Sequence, residues 1–162
     1  MMKKKIMVWC ISKYASPPQY GIGARLFYIA KEFSNMGLEV LLISSDANHL
    51  VKYPNTDKVY NLEKYDDLLH MWIKTYKYSQ SASLKRFRSW VDFEYKLFRL
   101  DRSKYRKPDV VIISSLSLFT IIYGIYLKKA YNCKLVFEIR DIHPLTLIEE
   151  FGVSKWNPMV LL

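Results

Sequence analysis

The chain has 162 residues, long enough for one domain with a full hydrophobic core and too short for two of ordinary size. Apolar residues make up 51% of it and no stretch is low in complexity, which excludes a disordered tail or a linker-rich assembly. A formal net charge of +10 draws the surface toward polyanions, whether nucleic acid, anionic lipid head groups or phosphorylated small molecules, without choosing among them.

Residues 1–5 are basic and lead into the apolar run Ile6-Met7-Val8-Trp9-Cys10-Ile11. This imitates a signal peptide, but the run is short and meets Ser12-Lys13 without a small-residue cleavage site. Residues 4–11 therefore read as a first strand covered on both faces. Residues 12–20 hold two prolines and small polar side chains and form a loop. Gly21-Ile22-Gly23 then open a helical pattern in which Leu26, Ile29, Ala30 and Phe33 recur at helical spacing, and Gly37 supplies the stop. A second strand follows over residues 39–44, completing a right-handed βαβ unit with parallel strands. Residues 53–57 are turn-like, and residues 58–62 and 69–75 have strand character.

A helical wheel over residues 84–100 places Leu84, Phe87, Trp90, Val91, Phe93, Tyr95, Leu97, Phe98 and Leu100 on one broad arc. Lys85, Arg88, Asp92, Lys96 and Arg99 fill the other. Residues 110–127 contain no charged side chain and approach the minimum length of a membrane span. Ser114, Ser115 and Ser117 interrupt the stretch, Pro108-Asp109 introduces it and its first part is β-branched. It therefore reads as a buried strand at 110–113, a turn and a helix over 119–131, with another strand at 134–139. Two βαβ units in succession predict a Rossmann-like α/β domain, a doubly wound and mostly parallel sheet flanked by helices, with ligands gathered at the carboxyl ends of the strands.

Two loops at those ends carry chemistry. In Tyr20-Gly21-Ile22-Gly23-Ala24-Arg25 the glycines allow close backbone approach, and the helix start behind them offers free N–H groups to a phosphate or a sugar hydroxyl. A turn with close helix packing explains the same glycines, and Leu26 breaks the full dinucleotide fingerprint. In Phe137-Glu138-Ile139-Arg140-Asp141-Ile142-His143-Pro144, four ionisable side chains fall within six positions at a strand end, where they are either exposed in a cleft or paired internally. Pro144 suits the first turn of a further helix over residues 145–151. Cys10 and Cys133 lie far apart in apolar runs with no metal or redox spacing, which suits a reducing cytosolic setting. His49 and His70 stand away from any Cys or carboxylate cluster, so no metal site is expected.

The segments YGIGARLFYIAKEFSNMGLEV, PDVVIISS and KLVFEIRDIHPLTLIEEFGVS, with Asn157-Pro158 beyond them, resemble the N-terminal domain of family-4 retaining glycosyltransferases of the GT-B type. The resemblance is to the WbuB-like branch that builds bacterial surface polysaccharides. It spans nearly the whole chain, although residues 55–105 add little to it. It implies a single acceptor-side domain over residues 1–162, with the C-terminal donor-binding domain absent, so that the chain alone is expected to be inactive.

The same resemblance implies that Gly21 and Gly23 border the donor diphosphate or acceptor sugar, that Arg25 reaches that cleft, and that Arg140 and Asp141 line it opposite the anomeric carbon. Many relatives have His at the position of Arg140 and Trp at that of His143, so His143 becomes a candidate for the acceptor site. No cofactor is implied beyond a nucleotide sugar as donor substrate, with a lipid-linked or saccharide acceptor. A lipid-linked acceptor implies a cytoplasmic protein peripheral at the inner face of the plasma membrane, where each Lys or Arg near an anionic surface contributes about 1 kcal/mol. Lys85, Arg88, Trp90, Lys96 and Arg99 are the membrane-surface candidates. The alternative for that helix is a core-facing element with a solvated basic side. Self-association, or a partner chain carrying the donor domain, would cover the apolar cleft wall. A non-catalytic binding subunit is the rival reading. Nucleic acid is not expected as a partner because no binding motif accompanies the charge.

Overall fold

The computed structural model describes residues 5–21, 24–47, 52–78, 84–115 and 119–139. The strands are β1 (Met7–Ile11), β2 (Glu39–Ser45), β3 (Tyr60–Tyr65), β4 (Leu68–Ile73), β5 (Val110–Ser115) and β6 (Lys134–Ile139). The helices are α1 (Arg25–Asn35), α2 (Leu84–Phe98) and α3 (Thr120–Tyr131), with a short 3-10 turn at Arg102–Lys104. They form one sheet in the order β3-β4-β2-β1-β5-β6, parallel throughout except for β3, which pairs antiparallel with β4 at the edge. The domain is a Rossmann-like, doubly wound α/β fold.

β1 has neighbours on both sides and helices over both faces, which is why its sequence is an unbroken apolar run. Its side chains alternate between two cores. Met7, Trp9 and Ile11 join Leu41, Ile43, Met71, Ile73, Val111 and Ile113 beneath Phe93 and Leu97 of α2 and Tyr123 and Leu127 of α3. Val8 and Cys10 join Val40, Leu42 and Leu68 beneath Leu26, Phe27 and Ala30 of α1. Full burial of one large apolar side chain is worth about 1.5–3 kcal/mol, so these two layers dominate the stability of the sheet.

The expected stop of α1 is present in detail. Gly37 takes φ 85°, Leu38 N–H donates to Phe33 O (3.1 Å) and Gly37 N–H donates to Ser34 O (2.9 Å), which satisfies carbonyls that the helix end leaves open. The 110–127 stretch divides as the serines suggested, into β5 and the start of α3. Among the described residues no helix is long and apolar enough to cross a membrane. The strand character at 58–62 and 69–75 resolves into a hairpin, β3 and β4, turning at Asp66 with φ 54°.

The wheel over α2 needs correction. Phe93, Leu97 and Leu100 are buried, whereas Phe87, Val91, Tyr95 and Phe98 are exposed. One helix presents a single ridge to a sheet, here Ser89-Phe93-Leu97 at four-residue spacing, and nine apolar residues cannot share it.

Gly124 of α3 packs against the sheet so closely that an added Cβ would lie 2.9 Å from both Ile113 Cγ1 and Leu135 Cδ1. Gly124→Val should therefore overpack this contact and lower stability by about 1–3 kcal/mol, read as a fall of several degrees in melting temperature. An unchanged melting temperature would mean that α3 moves off the sheet at no cost.

Candidate functional site

β1 leads through α1 toward one edge of the sheet, and β5 leads through α3 toward the other, so the two connections diverge at the carboxyl ends of β1 and β5. The helices lie on opposite faces, and the point where such connections diverge is where a doubly wound sheet takes its ligands. Gly21 and Arg25 lie on the connection from β1 to α1. The loop before them is tied down by Tyr20, whose N–H donates to Pro17 O (3.0 Å) and whose ring meets Trp72 edge-on at 5.5 Å. Lys52 N–H donates to Tyr20 O (3.2 Å).

α1 begins with Ala24 at the N-cap, which makes no side-chain cap, and its first turn contains no acid. The positive end of the helix dipole is therefore uncompensated from within the helix. Arg25, the first helical residue, forms an ion pair with Glu138 of β6. This contact joins the start of α1 to the carboxyl end of β6. Gly23, Arg140, Asp141 and His143 lie outside the described residues, as do His49 and the expected helix over 145–151.

The sequence reading passed over Lys13. It follows β1 in the same alternation as Trp9 and Ile11, which is the one signal that its side chain turns inward. Its side chain is fully buried, and its ammonium Nζ donates to Ala47 O (2.7 Å), Ser89 Oγ (3.0 Å) and Ser45 Oγ (3.3 Å). Phe93 and Tyr78 present ring faces to it. Burial pulls its pKa down to about 7; Asp46 and Asp92 oppose that shift, while Arg86 and Lys77 add to it. Asp46 is itself buried, accepting from Thr75 N–H (2.8 Å) and pairing with Lys77 at 2.6 Å. This network fastens the β1–α1 loop to the ends of β2 and β4 and to α2.

On the opposite face, His70 is buried against Trp72 (ring centroids 4.1 Å), with Nε2 at 2.7 Å from Ser44 Oγ. Burial holds its pKa near 3, so it is a neutral packing residue at neutral pH. No group of three His, Cys, Asp or Glu side chains suited to a metal comes together among the described residues.

The membrane-surface candidates separate into two sets. Trp90 turns inward, its Nε1–H donating to Tyr14 OH, and Lys96 is held by Asp92 and by Lys74 O, each at 2.7 Å. Lys85, Arg88 and Arg99 lie outside, next to the exposed Phe87 (54%), Val91, Tyr95 and Phe98. α3 meets this surface at Tyr126, whose ring lies 6.0 Å from that of Phe98; it also exposes Ile122 (55%) and Ile125, and its last turn carries Lys128 and Lys129.

No protein-family model matches the chain, and no curated protein does. Among solved structures it is similar to one titled "Trehalose-6-phosphate from E. coli bound with UDP-2-fluoro glucose", at 12% identity and a TM-score of 0.46. The match covers 81% of this chain and 32% of that one, so the chain spans about a third of its length. This likeness is too weak to carry a functional argument.

Lys13 gives a pH dependence whose sign follows from proton counting. Folded Lys13 releases its proton near pH 7, while in the unfolded chain it keeps it to about pH 10.5. Between those values the unfolded state binds more protons, so this residue makes stability rise with pH. Denaturant unfolding at pH 7 and pH 9.5 should show that rise in the wild type, and Lys13→Met should flatten it. Equal slopes in the two proteins would mean that the buried amine does not titrate in this window.

Proposed function

We propose that the chain is the acceptor-side domain of a retaining, nucleotide-sugar-dependent glycosyltransferase of the GT-B type, resembling family 4 and its WbuB-like branch, with the donor held by a second domain. The observation that supports the reading is the ion pair of Arg25 with Glu138, which joins the start of α1 to the carboxyl end of β6. The loops at these two points supply the residues that carry the family resemblance, and a doubly wound sheet takes its ligands at this end.

In this reading the free N–H groups of α1 and the guanidinium of Arg25 face the diphosphate, Gly21 and Gly23 let it approach the backbone, and Asp141, Arg140 and His143 line the acceptor side. Attack by the acceptor on the face that the diphosphate leaves would retain the anomeric configuration, with the leaving diphosphate taking the acceptor proton. The domain's contribution is then to align the acceptor hydroxyl and to stabilise negative charge as it develops on the diphosphate. The outer surface of α2 and α3, apolar residues beside Arg88 and Arg99, suits a peripheral seat on an anionic membrane that presents a lipid-linked acceptor.

Binding to liposomes with and without a polyprenyl-diphosphate-linked sugar, at low and moderate salt, tests this reading. Acceptor-dependent binding should survive moderate salt and disappear in an Asp141→Ala, Gly21→Val double variant whose fold is intact. Arg88→Glu with Arg99→Glu should remove the part that follows lipid charge alone. Binding that depends on lipid charge and ignores the acceptor would reduce the protein to a basic surface and sink the site assignment.

A further inference from the structure

At the amino end of the sheet, the segment leading from α2 to β5 and the last turn of α3 border an open cavity of about 410 Å³, lined by described residues alone. Arg102, Ser103, Tyr105 and Lys107 line one side and Tyr131 the other. Among the described residues neither Arg102 nor Lys107 forms an ion pair. The Arg102 guanidinium stacks over the Tyr126 ring at 4.7 Å, and Lys107 Nζ lies 5.9 Å from the centre of the Tyr131 ring. Stacking occupies the face of a guanidinium and leaves its N–H edge free to pair with two oxygens of one anion. Beside Arg102 lies the hydroxyl of Tyr123, a wholly buried residue, and that hydroxyl reaches no hydrogen-bonding geometry with any partner. Leaving a buried hydroxyl unpaired costs stability, so it marks a place where a bound group completes the structure.

We propose that this cavity binds the phosphate of a phospholipid head group: Arg102 grips two phosphate oxygens, Tyr123 accepts another Arg102 N–H as the guanidinium turns to the ligand, and Lys107 supplies a second positive charge. The inference rests on the membrane seat of α2 and α3 and names the lipid group recognised there. Asp101 is the one acid lining the cavity, and it is already answered: Ser103 N–H (3.2 Å) and Oγ–H (2.6 Å) donate to it and Lys104 pairs with it at 3.4 Å. The carbonyl end of α3 also lies here and favours cations, but Lys128 and Lys129 in its last turn meet that demand, which leaves Arg102 and Lys107 for a ligand. The neighbouring surface argues for a lipid. Tyr126, over which Arg102 stacks, is exposed, and its ring lies 6.0 Å from that of the exposed Phe98. A phosphate held at Arg102 thus has apolar surface beside it, as at the boundary between head groups and acyl chains, and a free phosphate would make no use of that surface.

Isothermal titration with dihexanoyl phosphatidylglycerol below its micellar concentration, and separately with glycerol 3-phosphate, tests this on wild type, Arg102→Gln, Arg102→Lys and Tyr123→Phe. The wild type should bind one lipid saturably, and Arg102→Gln should weaken it about tenfold. Arg102→Lys should weaken it nearly as much, because an ammonium keeps the charge and loses the fork. Tyr123→Phe should weaken it about threefold without lowering the melting temperature, since the hydroxyl has no partner to lose. Arg88→Glu with Arg99→Glu should abolish sedimentation with phosphatidylglycerol liposomes and leave binding of the single lipid in place, which separates the cavity from the charged seat. No saturable lipid binding, or binding that neither Arg102 variant weakens, overturns the cavity and leaves the seat standing wherever the liposomes still bind; with no liposome binding either, both fall. Glycerol 3-phosphate bound as tightly as the lipid would make the ligand a soluble phosphate ester and overturn the lipid assignment.

Discussion

The structure depends on β1 being enclosed from every side. It is hydrogen-bonded to β2 and β5, covered by α1 on one face and by α2 and α3 on the other, so none of its side chains reaches water. A strand in that position must be apolar throughout, and the first polar residues after it can appear only where it leaves the sheet. They do so at Ser12 and Lys13, and the loop that follows must be anchored by contacts other than strand pairing. Lys13 supplies that anchor from below, through Ser45, Ala47 and Ser89, while Tyr20 supplies it from the other face by packing on Trp72. The connection from β1 to α1 is therefore held from both faces of the sheet.

Much of this was readable in the sequence because local chemistry and position agree there. The glycine at 37 marks a left-handed helix end that only a residue without a side chain adopts freely, and the structure has it there. The serines within 110–127 separate a buried strand from a helix, as expected of polar residues that accumulate where a strand ends. The hairpin of β3 and β4 was less legible. Its strands are short, β3 is half exposed, and antiparallel pairing at an edge depends on a turn at Asp66 that resembles any polar pair.

Two further features were hidden because they depend on contacts between distant segments. Lys13 looks like an ordinary strand-end cation until Ser89, a polar residue on the buried ridge of α2, is seen to meet it. The wheel of α2 gave the number of apolar residues but not which of them face the sheet. That choice is fixed by the ridge through Ser89, Phe93 and Leu97, which turns Trp90 and Lys96 toward Tyr14 and Asp92 and leaves Phe87 and Val91 outside. A polar residue at the centre of a helix's buried face thus decided the orientation that hydrophobicity alone left ambiguous.

The two cations of the β1–α1 connection divide the electrostatic work. Lys13 is enclosed and all three of its donors are directed at protein oxygens, so reaching a ligand would require withdrawing them from Ala47, Ser45 and Ser89. The Arg25 side chain is 58% exposed and that of its carboxylate partner 21%, so this ion pair is only partly screened by water. The enclosed cation thus keeps the loop in shape, while the outer one ties the start of α1 to the end of β6.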